Sequence, residues 1–387
     1  MENIFLLNKI AKVGLDRLDP AAYNISDDAA AMPDPTGIMV RSAVMHDMTF
    51  GKNLLAIARA GAGVNNIPVE ECAKQGIVVF NTPGANANGV KELAICALML
   101  ASRDIVGGVM WASTLTEDVA KTVEKGKSKF AGVEIKGKKL GVVGLGAIGG
   151  MVANTAIKLG MKVVGCDPFL SVSAAWNLDH HIERGMSYEE LYKTCDYITL
   201  HVPATKDTKG MINAETIAQM KDGVRIINLS RADLVNAEDL RAALESGKVA
   251  SYVTDFPTEE IIGAPHAVTI PHLGASTEES EDNCAVMAAM QLDDYIANGN
   301  ITNSVNFPSV SMARSGAARI CVLHENIPNV LSQITSAISG TGANIENMMN
   351  KSRGEFAYTL VDVCSAVSEE TLAKIVAIDG IIKVRVI

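Results

Sequence analysis

Three glycines at a fixed spacing and one acid downstream form the most informative chemical pattern in this chain. Gly144, Gly146 and Gly149 follow an apolar run and open a helical stretch, and Asp167 stands where a second apolar run ends. A strand, glycine turn, helix, strand and acid in this order predict a dinucleotide site. The first glycine permits the turn, the second lets the backbone approach a pyrophosphate, and the third lets helix and strand pack closely.

The acid at position 167 distinguishes between two related cofactors. We expect its carboxylate to accept hydrogen bonds from the adenosine ribose hydroxyls and to repel a 2′-phosphate. The pyrophosphate is expected at the helix N-terminus, where free N–H groups and the helix dipole favour an anion. The sequence therefore predicts NAD rather than NADP as the cofactor, and it predicts no metal ion in the site.

Charged side chains follow three further apolar runs that are predicted to be strands. Arg231 follows one run, Asp255, Glu259 and Glu260 follow the next, and His272 follows a third. A doubly wound sheet binds ligands beyond the carboxyl ends of its strands. An arginine there can hold a carboxylate, and a histidine with an acidic partner can act as acid and base, so the set predicts hydride transfer at a 2-hydroxy carbon. Taken singly, ordinary structural interpretations would be favoured: Arg231 as a surface arginine, His272 as a loop histidine, and Glu259 with Glu260 as an acid pair at a helix start.

The elements that must position these residues predict an α/β protein of several parts, because 387 residues exceed one domain. We expect two Rossmann-like, doubly wound parallel-sheet domains and a C-terminal ferredoxin-like domain with a βαββαβ pattern. The predicted boundaries are a discontinuous substrate-binding domain at 1–88 and 278–302, an NAD-binding domain at 89–277, a linker at 303–318 and a regulatory domain, called the tail, at 319–387.

Composition excludes several classes of protein. The net charge is −10 and basic residues form no large cluster, so nucleic acid is not an expected partner. There is no signal peptide pattern and no uninterrupted apolar stretch of membrane-spanning length, so no membrane partner is expected. Seven scattered cysteines without a C-x-x-C pair favour a reducing cytoplasm. The long helices and the tail predict a homodimer or homotetramer.

The chain also resembles the D-2-hydroxyacid dehydrogenase family over its whole length, and within it the members that act on 3-phospho-D-glycerate. The matching segments are VRSA at 40–43, ARAGAGVNNI at 58–67, NTPGANANGVKELA at 81–94, GLGAIG at 144–149, LHVPAT at 200–205, INLSRADLVN at 227–236 and PHLGAST at 271–277. The resemblance implies NAD-dependent oxidation of 3-phospho-D-glycerate to 3-phosphooxypyruvate, the first step of L-serine biosynthesis. Two alternatives stay open: another 2-hydroxyacid dehydrogenase, such as a hydroxypyruvate or glyoxylate reductase, and an NAD-sensing protein without turnover.

By position, the resemblance implies roles for individual residues. Arg231 would anchor the substrate carboxylate and His272 would be the acid/base. Its partner would be Glu260 if the family's spacing from Asp255 is kept, or Glu259 if the preceding Phe-Pro pair is aligned instead. The implied cofactor residues are Gly144, Gly146, Ile148, Gly149, Asp167, Val202, Pro203, Leu229, Ser230, Asp255, His272, Gly274 and Ala275. Asp255 would receive the nicotinamide carboxamide.

On the substrate side, the resemblance implies Arg41, Ser42, Arg59 and Asn86. Two additional arginines suit a phosphorylated substrate, because each guanidinium can form paired hydrogen bonds with phosphate oxygens. Lys91 stands where the family often has alanine, and it is either a solvent-facing helix lysine or an extra substrate cation.

The tail resembles an ACT domain through ARICVLHENIPNVLSQI and TGANIENM. This resemblance implies L-serine as an effector, bound at an interface between two such domains by His324, Asn326 and Asn344. The structural alternative is that Asn326 caps the N-terminus of the following helix. Asn329 departs from the family pattern, in which glycine is common.

Overall fold

The computed structural model describes every residue from Met1 to Ile387. The chain divides into two compact units. The first unit comprises Met1–Asn86 and Glu281–Ile387, and the second comprises Ala87–Ser280. The strands, in chain order, are β1 (Glu2–Leu6), β2 (Tyr23–Ser26), β3 (Gly37–Val40), β4 (Ala56–Arg59), β5 (Val78–Phe80), β6 (Lys139–Val143), β7 (Lys162–Cys166), β8 (Glu183–Arg184), β9 (Tyr197–Leu200), β10 (Val224–Asn228), β11 (Val249–Thr254), β12 (Ala267–Thr269), β13 (Ala318–Glu325), β14 (Ile345–Arg353), β15 (Phe356–Val363) and β16 (Ile381–Val386).

The α-helices are α1 (Lys12–Leu15), α2 (Val69–Lys74), α3 (Ala87–Ser102), α4 (Ile105–Ala112), α5 (Val119–Gly126), α6 (Ala147–Lys158), α7 (Val172–Trp176), α8 (Tyr188–Thr194), α9 (Ala214–Gln219), α10 (Ala237–Glu245), α11 (Glu278–Asn298), α12 (Val330–Ser339) and α13 (Glu369–Val376). Two short 3₁₀ turns cover Lys127–Phe130 and Ala232–Leu234. No single helix is both long and apolar enough to cross a membrane, and α3 and α4 reach that length only together, across a bend of 74°.

The second unit contains a seven-stranded parallel sheet with the order β12-β11-β10-β9-β6-β7-β8. From β6, the chain adds β7 and β8 on one side of the sheet and then β9 to β12 on the other. Such a reversal of strand order is the switch point where doubly wound sheets bind ligands. Strands β6, β7 and β9 are almost wholly buried, as parallel strands covered by helices on both faces must be. The predicted doubly wound fold is confirmed.

The first unit contains two sheets. Its parallel sheet has the order β2-β1-β3-β4-β5, and the tail forms an antiparallel sheet with the order β14-β15-β13-β16. In the tail, α12 follows β13 and α13 follows β15, so the predicted ferredoxin-like βαββαβ pattern is confirmed. Side chains of the tail sheet, including Tyr358 and Leu360, share one hydrophobic core with Ile4 of β1 and Tyr295 of α11.

Segment 303–318, predicted as a linker, packs into that same core. Phe307 and Val310 are fully buried, and Met312 is nearly so. The side chain of Asn306 accepts a hydrogen bond from the amide of Val79 at 3.0 Å and donates one to the carbonyl of Ile77 at 2.9 Å. An asparagine thus takes the place of a neighbouring strand beside β5, which explains why a polar segment lies buried.

Side chains of the tail sheet satisfy the carboxyl end of α11. Arg319 donates to the carbonyl of Asn298 at 2.8 Å, Arg385 to that of Ile296 at 2.9 Å, and Tyr358 to that of Gly299 at 2.6 Å. The last carbonyls of a helix have no donors within the helix, and a positive charge there complements the helix dipole. The tail sheet is therefore joined to α11 by hydrogen bonds as well as by apolar contacts.

A fully buried ion pair reinforces this junction. Arg319 donates to both carboxylate oxygens of Asp362, at 2.6 and 2.8 Å, and both side chains are 0% exposed. Burial alone would raise the pKa of Asp362, but hydrogen bonds from Arg319 and from Ser315 lower it overall. Removing one partner of such a pair typically costs about 3–5 kcal/mol, because the other charge stays buried.

Candidate functional site

The glycine turn connects β6 to α6, and its three glycines meet different constraints. Gly144 has φ +88°, and a Cβ there would lie 2.5 Å from the carbonyl oxygen of His201. A Cβ at Gly149 would lie 1.9 Å from the carbonyl oxygen of Gly144, so packing requires glycine at both positions. Gly146 precedes the first residue of α6, and a Cβ there would meet nothing within 4 Å. The open space at Gly146 suits the close approach of a pyrophosphate.

Asp167 follows β7 and is fixed beside this turn. One carboxylate oxygen accepts the amide of Leu145 at 2.9 Å, and the other accepts the amide of Phe169 at 2.9 Å. Each oxygen retains a further lone pair for a ligand hydroxyl. Ile148 lies half-buried in the first turn of α6.

His201, which the sequence analysis missed, lies beneath the glycine turn at the end of β9. Its Nε2 is 2.9 Å from the hydroxyl of Thr199, and its Nδ1 is buried without a hydrogen-bond partner. Burial lowers the pKa of His201 to about 4, so the ring is neutral near pH 7. The two residues that follow are the predicted cofactor residues Val202 and Pro203. The signal that could have identified His201 was its place at a strand end beside the switch point.

Arg231 follows β10 on a loop held by Asn228. The Asn228 side chain accepts the amide of Ser230 at 3.1 Å and donates to the carbonyl of Arg231 at 2.8 Å. The Ser230 hydroxyl donates to the carbonyl of Leu200 at 2.7 Å, and Leu229 is buried. These bonds fix the backbone from which the Arg231 guanidinium extends.

Two of the predicted catalytic side chains contact one aromatic ring. The His272 ring centroid lies 4.5 Å from that of Phe256, and the Arg231 guanidinium carbon lies 5.8 Å from the same centroid. Phe256 follows β11 and was not predicted as a site residue. The structure thus brings together the cation and the histidine from separate strand ends.

Asp255 lies directly before this ring and is 1% exposed. One carboxylate oxygen accepts the amide of Gly274 at 3.1 Å, whereas the other is buried without a partner. Burial raises the pKa of Asp255, opposed by the Gly274 amide and by the charges of His272 and Arg231. An unsatisfied buried acceptor is costly, and a ligand N–H would satisfy it, so this oxygen suits the predicted carboxamide. Ala275 follows Gly274 and is half-buried.

The structure does not pair His272 with either predicted glutamate. Glu259 and Glu260 are exposed on the turn after β11, and neither forms a hydrogen bond or an ion pair with the histidine. The carbonyl of Glu260 accepts from Arg241 of α10 at 2.7 Å, which holds this turn. A hydrogen bond from its own backbone amide is the main cause that lowers the pKa of the Glu260 side-chain carboxyl. Spacing along the sequence could not give the direction in which this turn presents its side chains.

In the first unit, the predicted substrate residues Arg41 and Ser42 follow β3. The side-chain oxygen of Asn8 accepts the amides of Arg41 at 3.0 Å and of Ser42 and Ala43 at 3.3 Å. The Arg41 guanidinium is 45% exposed and lies 2.5 Å from the carboxylate of Glu281 on α11. Asn8 and Glu281 were both missed, and only the position of Asn8 just after β1 could have indicated it.

Arg59 ends β4 in the same unit. Its guanidinium lies against Gly61, where a Cβ would come within 1.9 Å of Nη1. Burial raises the pKa of the Cys284 thiol, and the charges of Arg59 and Arg41 act against that rise. Asn86 is half-buried where this part of the unit ends.

Lys91 lies in α3 of the second unit. Its side chain is 19% exposed, and Nζ lies 3.5 Å from the carboxylate of Glu92. It is therefore not a freely solvated helix lysine.

The predicted effector residues lie at opposite ends of the tail sheet. His324 is 4% exposed, its Nδ1 donates to the carbonyl of Glu325 at 2.8 Å, and its Nε2 lies 2.9 Å from the Thr359 hydroxyl. Burial lowers the pKa of His324. Asn326 donates to the carbonyl of Gly354 at 3.1 Å.

Asn344 precedes β14, where its amide donates to the Cys364 sulfur at 3.3 Å. His324 pairs in register with Ala357, so about seven residues of β15, roughly 23 Å, separate the two ends. The alternative that Asn326 is the helix cap is wrong, because α12 begins at Val330 and Asn329 precedes it, with φ +68°. This left-handed backbone explains why glycine suits position 329.

Several known proteins are similar to this chain in sequence and in fold. Residues 106–274 match the D-isomer specific 2-hydroxyacid dehydrogenase, NAD binding domain. The D-3-phosphoglycerate dehydrogenase of Pongo abelii is 34% identical over 330 residues, 78% of this chain and 59% of that protein. This chain thus spans about three fifths of that relative. The D-3-phosphoglycerate dehydrogenase 1 of Saccharomyces cerevisiae is 28% identical, covering 94% of this chain and 82% of that protein. The structure of NAD⁺-bound 3-phosphoglycerate dehydrogenase from Entamoeba histolytica is similar with a TM-score of 0.62 and 29% identity, covering 79% of this chain and 98% of that one.

Proposed function

We propose that this chain, whose residues 106–274 match the D-isomer specific 2-hydroxyacid dehydrogenase, NAD binding domain, oxidises 3-phospho-D-glycerate to 3-phosphooxypyruvate with NAD⁺. The reaction would open L-serine biosynthesis. The observation that carries the proposal is the shared contact of Arg231 and His272 with the Phe256 ring, in the unit that holds the glycine turn. A carboxylate anchor and an acid/base beside a dinucleotide site are what oxidation of a 2-hydroxy acid requires.

Each side chain has one task in this mechanism. NAD⁺, when bound, supplies the acceptor for the hydride that leaves C2. His272 removes the proton of the C2 hydroxyl, and Arg231 holds the carboxylate by paired hydrogen bonds. Phe256 limits the positions that both side chains can adopt. The buried, unpartnered oxygen of Asp255 would accept the carboxamide and orient the nicotinamide.

The acidic partner of His272 would be Glu260 or Glu259. Neither forms a hydrogen bond or an ion pair with the histidine in this structure, so the side chain of the partner would have to reorient toward His272. Replacing the true partner by glutamine should shift the acidic limb of the kcat/KM pH profile, since the imidazolium would lose its stabilising charge. The other glutamine variant should leave that limb unchanged and serves as the matched control.

Arg41 and Arg59 of the first unit would bind the phosphate, with Ser42 and Asn86 nearby. Each guanidinium can form paired hydrogen bonds with phosphate oxygens, and that of Arg41 is 45% exposed, which supports a dianionic group there. Substituting both arginines with methionine should raise KM for 3-phospho-D-glycerate at least tenfold and change turnover of unphosphorylated D-glycerate little. Equal losses with both substrates would argue for another 2-hydroxyacid dehydrogenase.

L-Serine would act through the tail, in a homodimer or homotetramer in the cytoplasm. Because Asn344 lies at the opposite end of the sheet from His324 and Asn326, one chain alone cannot place all three on one small ligand. The exposed edge strand β14 supports a site completed by a second copy.

The deciding experiment follows NADH fluorescence with purified protein and 3-phospho-D-glycerate, with and without millimolar L-serine. Turnover suppressed by serine supports both enzyme and effector. Turnover indifferent to serine leaves the tail as an assembly module. NAD binding without turnover, with D-glycerate and 2-hydroxyglutarate also inert, would favour an NAD-sensing protein.

A further inference from the structure

Three consecutive residues of the second unit place metal-ligand atoms close to one another, outside the proposed active site. One ligand atom each from Asp179, His180 and His181 lies within 4.8 Å of the others. An Asp179 carboxylate oxygen is 2.8 Å from Nδ1 of His181 and 3.7 Å from Nδ1 of His180. In a tetrahedral site with metal–ligand bonds of about 2.0–2.1 Å, neighbouring ligand atoms are roughly 3.3 Å apart. The two separations bracket that value.

The histidine rings already lie side by side. Their centroids are 3.8 Å apart with an interplanar angle of 40°, and both Nδ1 atoms face the same carboxylate oxygen. The side chains of His180 and His181 are 85% and 65% exposed, so an ion can reach them without opening the fold. Neutral imidazole and carboxylate suit zinc, nickel and copper, whereas magnesium and calcium prefer oxygen ligands alone.

The backbone that carries these side chains is fixed from α6. The Asn154 side chain accepts the amide of Asp179 at 2.8 Å and donates to the carbonyl of Asn177 at 2.8 Å. The Asp179 carboxylate also accepts the amide of His181 at 2.9 Å. These bonds hold the turn before any ion arrives, which reduces the ordering cost of binding.

We propose that Asp179, His180 and His181 form a binding site for a divalent transition-metal ion, with solvent completing the coordination. The ion would bridge three side chains between α7 and β8 and would stabilise the second unit by mass action. The site is independent of the proposed dehydrogenase chemistry, so its test does not depend on turnover.

The test is calorimetric titration of tag-free, chelator-treated full-length protein with Ni²⁺. The exposed thiols of Cys96 and Cys364 are alkylated first, so that they contribute no ligand. We expect one ion per chain, at least tenfold weaker binding in Asp179→Asn, and no measurable site in the His180→Ala/His181→Ala double variant. His266→Asn is the matched control, because it removes another exposed histidine of this unit and asparagine tolerates its φ of +60°.

Melting curves give a second readout. Without metal, the double variant should have the same melting temperature as the wild type, because both rings are exposed. With Ni²⁺, the melting temperature should rise only for the wild type and for His266→Asn. If the wild type binds no Ni²⁺, the cluster is only a hydrogen-bonded His–Asp pair, and the proposal is overturned. Binding retained in the double variant would place the ion elsewhere and overturn it equally.

Discussion

Replacing Asp255 with asparagine tests the cofactor site at its most constrained group. The aspartate is 1% exposed, accepts the Gly274 amide through one oxygen and leaves the other buried without a partner. Two acceptors are therefore needed when NAD binds, one for the amide and one for the carboxamide. Asparagine has a single oxygen, so in either orientation its NH₂ group faces another donor.

The size of the effect follows from the lost hydrogen bond. A hydrogen bond to a charged group contributes about 1.5–3 kcal/mol, and about 1.4 kcal/mol corresponds to a tenfold change in affinity. We therefore expect the Asp255→Asn variant to bind NADH roughly 10- to 100-fold more weakly near pH 7. The overall fold should persist, because the substitution is nearly isosteric.

The pH dependence has a definite sign. Burial raises the pKa of Asp255 above its ordinary value, so the fold favours the protonated form. That contribution to stability is fully present below the unfolded pKa and is lost as pH rises through the folded pKa. Cofactor binding instead uses the carboxylate, so NADH affinity of the wild type should fall as pH decreases toward the raised pKa. The asparagine variant should lack this decline.

NADH fluorescence titrations across a pH series measure both effects. Asp222→Asn is the matched control, because Asp222 is 93% exposed, pairs with Lys248 at 2.8 Å and precedes β10 at its amino end. Its affinity should equal that of the wild type. Dissociation constants for the Asp255→Asn variant within about threefold of the wild type at every pH would refute this account of the carboxylate.

Two further predictions concern backbone space and the tail junction. Gly146→Ala should weaken NADH binding and keep the wild-type melting temperature. Gly149→Ala should lower both NADH affinity and melting temperature, because only the Cβ at position 149 would collide with the Gly144 carbonyl. Equal melting temperatures of the two variants would contradict this explanation. Arg319→Met should destabilise the first unit by about 3–5 kcal/mol in urea unfolding, because it leaves Asp362 charged and buried; a loss below about 1 kcal/mol would contradict the assigned role of the pair.

Sequence patterns anticipated the elements whose burial is uniform. Strands buried on both faces read as continuous apolar runs, so β6, β7 and β10 could be located within a few residues. Doubly wound sheets bind ligands beyond the carboxyl ends of their strands, which lie at the same edge of the sheet. The sequence therefore also predicted that residues following separate strands would meet, as Arg231 and His272 do at Phe256.

Other features depend on packing that no local pattern encodes. Glu281 meets Arg41 across 240 positions of sequence, and this contact exists only because α11 returns to the first sheet. The Asn- and Ser-rich segment 303–318 has the composition of a linker, yet Asn306 replaces a strand neighbour and Phe307 is buried beside it. Composition reports how polar a segment is and does not report which backbone groups its side chains satisfy.

The way the tail is held restricts how any effector response can be tested. Tyr358 and Leu360 contribute to the same core as Ile4 and Tyr295, so deleting the tail would expose apolar surface of the first unit. Such a truncation would lose activity through instability, whether or not the tail transmits a signal.

A substitution outside α11 and its core perturbs the tail more selectively than truncation does. Tail residues bind carbonyls at its carboxyl end, and Glu281, near its amino end, holds Arg41. A response to an effector requires that these contacts differ in strength between two states of the chain. Asn326→Ala, which changes the tail without touching α11 or its core, therefore separates effector binding from stability, and tail deletion does not.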